Sequence, residues 1–163
     1  MNIPFIPDCE FAERIRRAQV AMAKENYDAI LCYGNEAEPQ YVRYFSDYWP
    51  SFETAGVLIP VEGEPMLLIG PESFTYASDR SKIAKIRLLK AFRESSEPEY
   101  PGKPLSTFNT VFEEALGDRP IRKIGVAGLP LMTIGVYEAL NESLAKYGKV
   151  SLKKADDVIA RLR

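Results

Sequence analysis

Apolar residues change their spacing repeatedly along this chain of 163 residues, and the alternation limits the possible fold more than any other feature. Near the N-terminus they recur at intervals of three and four residues, which places them on one face of a helix: Phe11, Ile15, Ala18 and Met22. The run at 28–34 that follows is short and continuously apolar at its centre, which is typical of a strand buried on both faces. Chains in which the two spacings alternate form layers of helices around a sheet.

The alternation predicts one α/β domain with a three-layer-like arrangement: a mixed, mostly parallel sheet with helices on both faces. The predicted helices cover residues 9–25, 106–116, 132–147 and the chain from about residue 155, and a short helix is predicted to open at 70–71. The predicted strands cover residues 28–34, 55–60, 65–69, 86–92, 123–127 and 150–153. The second and third strands flank a turn that contains Gly63, so they predict one β-hairpin. Asp8 is predicted as the N-cap of the first helix.

The sequence contains no histidine. Histidine is the usual general base near neutral pH and the commonest metal ligand in proteins. Its absence excludes Ser-His-Asp and Cys-His catalysis, and it excludes any zinc site that depends on imidazole. We therefore expect a scaffold with no catalytic residue and no metal site of its own.

Charge and cysteine content exclude several classes of protein. The net charge is −2 and the pI is about 5.4, so the chain lacks the basic excess that nucleic acids or anionic membranes attract. No apolar run approaches the roughly 18 residues of a membrane span, and the N-terminus lacks a signal-peptide pattern. The two cysteines, Cys9 and Cys32, are too few for a disulfide scaffold. We expect a cytoplasmic protein with no nucleic-acid or membrane partner.

Acidic residues offer only weak signals for chemistry. The stretch 34–39 after the first strand is neither a G-x-G-x-x-G motif nor a Walker loop, so it predicts no dinucleotide site. Neighbouring acids in a helix point in different directions, so 113–114 predicts a solvated face and 156–157 predicts a helix start. Four further acids share one segment without the spacing of a known cation site: Glu36, Glu38, Asp47 and Glu53.

Six aromatic residues lie within twelve positions: Tyr41, Tyr44, Phe45, Tyr48, Trp49 and Phe52. Their spacing is helical, and Pro50 requires a helix to end before it. The first three aromatic residues are expected to pack in the core. The remaining three, with Asp47 and Glu53, are expected to form a loop. An aromatic loop with carboxylates suits an interface or the rim of a pocket.

Seven segments, taken in order, resemble the N-terminal domain of the creatinase/prolidase family. That family includes Xaa-Pro peptidases and other "pita-bread" metallohydrolases. The segments are RIRR at 14–17, NYDAIL at 26–31, YVRYFS at 41–46, AGVLIP at 55–60, GEPMLL at 63–68, IGVAG at 124–128 and ADDVIARLR at 155–163. They extend over essentially the whole chain, so residues 1–163 are expected to be one such domain.

The resemblance also implies what this sequence lacks. In such families the closing helix, here at 155–163, leads into a C-terminal catalytic domain. Asp, His and Glu side chains of that domain bind a pair of divalent metal ions, which are Mn, Co or Zn. None of those motifs occurs in this sequence, so no catalytic residue is carried over. The chain is expected to be part of a longer metallopeptidase, an Xaa-Pro dipeptidase (prolidase) or an aminopeptidase P.

For the N-terminal domain itself, the resemblance implies two roles. It forms much of the contact within a homodimer or homotetramer, and one of its loops narrows the active-site entrance of a neighbouring subunit, which limits the length of the peptide substrate. Here that loop is 47–53, and its implied entrance or interface residues are Asp47, Tyr48, Trp49, Phe52 and Glu53. Trp and Tyr offer rigid contact area at a low cost in entropy, and a carboxylate can pair with the ammonium group of a peptide.

Two alternatives remain open at this point. The chain could be a complete protein that binds a small ligand or a partner through the aromatic loop. The longer enzyme could also be a family member with creatinase-like C–N hydrolysis rather than a peptidase. The N-terminal domain alone discriminates poorly between these chemistries.

Overall fold

A computed structural model describes residues 5–51, 53–94 and 100–163 of the chain. The helices are α1 (Asp8–Lys24), α2 (Gln40–Ser46), α3 (Phe74–Arg80), α4 (Phe108–Leu116), α5 (Ile134–Ala145) and α6 (Asp156–Ala160). The strands are β1 (Ala29–Asn35), β2 (Thr54–Pro60), β3 (Met66–Ile69), β4 (Ile86–Leu89), β5 (Leu105–Ser106), β6 (Lys123–Ala127) and β7 (Ser151–Lys154). Short 3-10 turns cover Pro71–Ser73, Lys90–Phe92 and Leu129–Leu131. Within these ranges, no helix has the length and apolar character needed to cross a membrane.

The strands form one sheet in the order β5-β4-β3-β2-β1-β6-β7. β2 runs antiparallel to both of its neighbours, β1 and β3, and the other adjacent strands are parallel. The turn between β2 and β3 contains Gly63 at φ 111°, a backbone conformation that residues with a side chain rarely adopt. The predicted mixed, mostly parallel sheet with one β-hairpin is therefore confirmed.

Two hydrophobic clusters lie on opposite faces of the sheet, and helices cover both. β1 contributes to both clusters because successive side chains of a strand point to opposite faces. Ile30 and Cys32 join the cluster on the side of α1, α2 and α6, whereas Leu31 and Tyr33 join the cluster on the side of α4 and α5. This explains the continuous apolar run of β1 and confirms that helices lie on both faces.

Two predicted boundaries differ from the structure near the ends of α1 and β4. Asp8 lies in the first turn of α1, and Pro7 takes the N-cap position without a side-chain hydrogen bond. An acid in the first turn still favours the helix through the helix dipole. The predicted strand 86–92 ends at Leu89, where the chain turns into a 3-10 turn.

The helix predicted at 106–116 begins two residues later, at Phe108. Thr107 caps this helix: its side chain accepts a hydrogen bond from the Thr110 backbone N–H at 3.2 Å, and the Thr110 hydroxyl accepts one from the Thr107 N–H at 3.0 Å. This reciprocal pair is a capping box. Because the helix starts after it, Leu105–Ser106 are free to pair with β4 as a short edge strand.

Candidate functional site

The aromatic segment, residues 47–53, connects α2 to β2. α2 is seven residues long and ends where Asp47 adopts a left-handed conformation with φ 54°. Asp and Asn tolerate this conformation better than most other residues. Pro50 then prevents a return to helix, and the described part of the segment is irregular, as the sequence predicts. Phe52, one of the five predicted entrance residues, lies outside the described residues.

Two of the predicted entrance residues lie inside the domain. Tyr48 is 0% exposed and Glu53 is 3% exposed. The Tyr48 hydroxyl donates a hydrogen bond to Glu53 Oε1, and the Tyr48 backbone N–H donates to Ser46 Oγ at 3.1 Å. The Tyr48 ring also contacts the ring of Tyr76 on α3, with 5.5 Å between centroids. Tyr48 and Glu53 therefore anchor the aromatic segment to the body of the domain.

The other two described entrance residues face outwards. Trp49 is 43% exposed, and its indole N–H donates to the backbone oxygen of Glu36 at 3.0 Å. The Arg43 guanidinium lies 5.0 Å from the centre of the Trp49 ring and 3.6 Å from a carboxylate oxygen of Asp47. Arg43 thus holds an exposed aromatic ring and an exposed carboxylate side by side on the surface. The sequence analysis did not identify Arg43 as part of the site, although it lies on α2 four residues before Asp47, a spacing that brings two side chains together.

The carboxyl group of Glu53 has an unusual environment. Its Oε1 accepts the Tyr48 hydrogen bond, but no donor among the described residues has hydrogen-bond geometry to its buried Oε2. Burial raises the pKa of Glu53 to about 7, and the negative charges of Glu94 and Glu72 act in the same direction. The hydroxyl groups of Ser73 and Tyr48 oppose the rise in this pKa. Burial also raises the pKa of Tyr48, so its phenol remains a hydrogen-bond donor.

The first three aromatic residues of the cluster pack against the core, as predicted for them. Phe45 is fully buried, and Tyr41 and Tyr44 are half-buried at the edge of the same hydrophobic cluster. The Tyr44 hydroxyl donates to the backbone oxygen of Leu162 at 2.9 Å. The Arg163 guanidinium lies 5.6 Å from the centres of both tyrosine rings. α2 therefore connects the aromatic segment to the last residues of the chain.

The remaining acidic pairs take part in contacts that stabilise the fold. Asp156 and Asp157 lie in the first turn of α6, as predicted, and Asp156 Oδ1 accepts a hydrogen bond from the Gly128 N–H at 3.1 Å. Glu114 pairs with Arg87 on β4 through an N–H···O bond of 2.7 Å. Across residues 5–51, 53–94 and 100–163, no group of three or more His, Cys, Asp or Glu side chains is arranged to hold a metal ion. The described residues therefore do not fit a metal centre.

The sequence model of the Creatinase/Prolidase N-terminal domain family matches residues 14–163 of this chain. The match thus begins within α1 and extends through α6 to the last residue. No curated protein matches the chain.

Solved peptidase structures share the fold. The dipeptidase PepE from Mycobacterium ulcerans is 16% identical, with a TM-score of 0.66 over 98% of this chain and 38% of that one. The prolidase from Pyrococcus horikoshii OT3 is 22% identical, with a TM-score of 0.61 over 93% of this chain and 35% of that one. The N-terminal domain of the cytoplasmic peptidase PepQ from Mycobacterium tuberculosis H37Rv is 19% identical, with a TM-score of 0.64 over 93% and 98%. This chain therefore spans little more than a third of the first two proteins and nearly all of the third.

Proposed function

This chain belongs to the creatinase/prolidase N-terminal domain family, and on that premise we propose that it is the non-catalytic N-terminal domain of a metal-dependent Xaa-Pro peptidase. The similar solved structures are described as a dipeptidase, a prolidase and the N-terminal domain of a peptidase, which supports this parent activity. The non-catalytic part rests on the absence of histidine, because the chain offers no imidazole as a base or a ligand. We also place the protein in the cytoplasm, where the PepQ relative is described as working.

The pair of divalent metal ions, Mn, Co or Zn, belongs to the catalytic domain in this proposal. Such a pair activates a water molecule and stabilises the developing negative charge during peptide hydrolysis. The described residues of this chain do not fit the pair, so they take no part in that step. What the domain contributes is contact within a homodimer or homotetramer and a surface that limits access to the active site.

The observation that carries this role is the exposed Trp49, held in place by Arg43 and the backbone oxygen of Glu36. An exposed aromatic ring offers a large contact area to a partner, and a ring that is already fixed loses little conformational entropy on contact. Asp47 beside it is the exposed carboxylate of the aromatic segment. We therefore assign to Asp47, rather than to buried Glu53, the pairing with the ammonium group of a peptide.

We propose different roles for the five residues that the sequence predicted at the entrance. Trp49 and Asp47 contact the partner subunit or the peptide. Tyr48 and Glu53 support them from inside the domain, since both are buried in this chain and hydrogen-bonded to each other. Phe52 keeps the role that the resemblance implies for it.

The proposal is tested first by the mass of the native polypeptide in its source cells, detected with an antibody against this domain. A mass more than double 18.4 kDa supports a domain of a longer enzyme. A band at 18.4 kDa would overturn the peptidase proposal and leave the stand-alone binding protein, tested by loss of ligand binding in Trp49→Ala. The purified domain with Mn²⁺, Co²⁺ or Zn²⁺ should hydrolyse no Xaa-Pro peptide.

The entrance role is tested in the full-length enzyme with Xaa-Pro peptides of increasing length. Trp49→Ala should relax the limit on length, with its largest effect on KM for long peptides and little effect on kcat for the shortest. Trp49→Phe should retain most of the discrimination. Tyr137→Ala is a matched control, because Tyr137 is an equally exposed aromatic residue on α5, at 43%. Equal effects of Trp49→Ala and Tyr137→Ala would contradict the role of the aromatic segment.

The same enzyme should be assayed with creatine and other C–N substrates, because the family description names creatinase beside prolidase. Hydrolysis of creatine without hydrolysis of Xaa-Pro peptides would show that the longer enzyme is a creatinase-like C–N hydrolase rather than a peptidase. It would leave the role of the domain at the entrance untouched.

A further inference from the structure

A cavity of about 280 Å³ lies where β4 and β5 end, between the first turn of α4 and one face of α5. β4 and β5 are parallel, so their carboxyl ends, at Leu89 and Ser106, lie at the same edge of the sheet. In open α/β sheets, ligands bind in the crevice outside the carboxyl ends of the strands. None of the described residues of the aromatic segment lines this cavity, so it is separate from the candidate entrance.

α4, a helix of nine residues, places unpaired backbone donors beside the cavity. The first N–H groups of a helix have no acceptor within the helix. The Thr107 side chain accepts from the Thr110 N–H, but the N–H groups of Phe108 and Asn109 have no acceptor among the described residues. Both of these residues line the cavity. Unpaired N–H groups and the helix dipole together favour an anion at this position.

Ser143 on α5 supplies an independent sign of a ligand. The residue is only 7% exposed, and its hydroxyl makes no hydrogen bond within the parts of the chain that the structure describes. Ala139, Glu142 and Lys146 line the cavity with it, and this spacing places all four side chains on one face of α5. The Ser143 hydroxyl therefore faces the cavity. Burial of a hydroxyl without a partner is unfavourable, so this group is available to a ligand that accepts a hydrogen bond.

The charges around the cavity also favour an anion. Lys90, in the turn after β4, and Lys146, at the C-cap of α5, both line it. Lys146 forms no ion pair within the described ranges. Glu142 opposes an anion, but it is one negative charge against two positive charges. A lysine ammonium is a common partner of phosphate groups.

The remaining wall of the cavity is apolar and limits the size of the ligand. Leu89 and Phe108 are each 1% exposed, and Ala91 and Ala139 complete this wall. The volume of about 280 Å³ is near the lower end of the roughly 300–1,000 Å³ of small-molecule sites. A phosphate group has three terminal oxygens, which can accept from backbone N–H groups, a hydroxyl and an ammonium at once. A carboxylate has one oxygen fewer.

We propose that this cavity binds a small phosphate monoester. Its phosphate oxygens accept hydrogen bonds from the N–H groups of Phe108 and Asn109 and from the Ser143 hydroxyl. Lys146 pairs with its negative charge, and its organic group lies against the apolar wall beside Ala91. The site belongs to this chain alone and does not require the peptidase parent.

The test titrates the wild-type 163-residue protein with phenyl phosphate in a phosphate-free buffer, followed by ¹H–¹⁵N NMR. The amide signals of Phe108, Asn109 and Ser143 should shift and saturate, and the signals of α1 should stay in place. Inorganic phosphate should compete at the same amides, whereas phenol should not bind. Benzoate should bind at least about tenfold more weakly, because it offers fewer acceptors to these charged contacts.

Ser143→Ala distinguishes a ligand contact from a structural role. The hydroxyl has no partner within the described residues, so its removal should not lower the free energy of unfolding. The same variant should weaken the binding of phenyl phosphate about tenfold. A lower free energy of unfolding with unchanged binding would assign the serine to the fold and overturn its place in the site.

Charge variants complete the test. Lys146→Ala should weaken binding about tenfold, and Glu142→Gln should strengthen it because a repelling charge is lost. Lys24→Ala is the matched control: it removes the same charge from α1, on the other face of the sheet, and should leave the affinity unchanged. Equal losses in Lys146→Ala and Lys24→Ala would overturn the site.

The wild-type titration keeps the proposal falsifiable if a variant fails to fold. Shifts that do not saturate, shifts spread over surface lysines, or equal affinity for benzoate and phenyl phosphate would each overturn it. None of these measurements depends on peptidase activity, so failure of this site can be told apart from failure of the proposed function.

Discussion

Two aromatic clusters on opposite faces of the sheet use their rings differently. On the side of α4 and α5, rings pack mainly on one another, with centroids 5.9 to 6.3 Å apart: Tyr33, Phe92, Phe108, Phe112 and Tyr147. On the side of α2, tyrosine hydroxyls and an indole N–H bind a carboxyl group and backbone oxygens, and guanidinium groups lie against the rings. The first cluster stabilises the fold through apolar burial, and the second uses polar atoms to position one surface segment.

Aromatic residues at helical spacing therefore need not share a role. Tyr44, Tyr48 and Trp49 each combine an apolar ring with one hydrogen-bonding atom, so each can pack its ring and still hydrogen-bond to a neighbour. Phe108 and Phe112 lack that atom and contribute contact area alone. Changes in the two clusters should therefore differ in size and in pH dependence.

The largest effect is expected for Phe112→Ala in the apolar cluster. Phe112 is 1% exposed, and its removal leaves a cavity between Phe108 and Tyr147. We expect the free energy of unfolding to fall by about 3–5 kcal/mol, equally at all pH values near neutrality. Urea denaturation followed by circular dichroism measures this. Phe74→Ala, at a ring that is 45% exposed, should lower it by less than about 1 kcal/mol; similar losses would contradict the assignment.

The second effect is a pH dependence that belongs to the polar cluster alone. The pKa of Glu53 is raised from 4.5 to about 7 in the folded protein, so folding favours the protonated carboxyl. This stabilisation is complete below about pH 4.5 and is lost as the pH rises through about 7. At about 1.4 kcal/mol per pKa unit, the loss is at most about 3 kcal/mol.

Unfolding free energies at about pH 5.5 and about pH 8.5 measure this dependence as the difference between wild type and Glu53→Gln. The wild type should lose more stability than the variant as the pH rises. Equal slopes in the two proteins would show that the carboxyl of Glu53 titrates alike in the folded and unfolded states.

A smaller effect is expected where α2 meets the end of the chain. Tyr44→Phe removes the hydrogen bond to the backbone oxygen of Leu162, which should lower the free energy of unfolding by about 1 kcal/mol. Amide hydrogens at the end of the chain should exchange faster, since the contact ties the residues that follow α6 to α2. Tyr147→Phe removes a hydroxyl from the apolar cluster, where no partner for it is found within the described ranges, so its effect should be smaller. If Tyr147→Phe lowered the free energy of unfolding more than Tyr44→Phe, the proposed difference between the two clusters would be wrong.

The smallest effect on stability is expected for Arg43→Ala. Its contacts with Trp49 and Asp47 are largely exposed, so the free energy of unfolding should change by less than about 0.5 kcal/mol. The indole should nevertheless move more freely, which fluorescence anisotropy decay of Trp49 would detect. Arg16→Ala, which breaks an exposed pair with Glu13 on α1, should leave the anisotropy unchanged. Unchanged motion in Arg43→Ala would show that Arg43 does not hold the ring.

Much of the fold could be predicted because it depends on local patterns. The continuous apolar run of β1 indicated burial on both faces, and the two runs around Gly63 indicated the hairpin. The edge strand Leu105–Ser106 was missed because two residues carry no periodicity, and its pairing with β4 depends on where the capped helix starts. Pro50 indicated that α2 ends before it, because proline disfavours a helical conformation in the residue that precedes it.

The sequence predicted which segment forms the candidate site, but it did not predict which of its side chains are buried and which are exposed. Asp47 and Trp49 lie on the surface, whereas Tyr48 and Glu53 are buried, and nothing in their order separates them. Ser73, whose hydroxyl lowers the pKa of the Glu53 carboxyl, is distant in sequence and lies near it because β3, which precedes Ser73, pairs with β2.

By itself, the sequence determined the class of fold, the order of its elements, the family, and the lack of an imidazole for catalysis. These depend on periodicity, turn residues and composition, which are readable along the chain. Only the tertiary structure decided that Glu53 is buried near other carboxylates, whereas Trp49 is exposed on the surface. Burial and charge proximity arise from contacts between residues far apart in sequence, so they exist only once the sheet has brought its strands together.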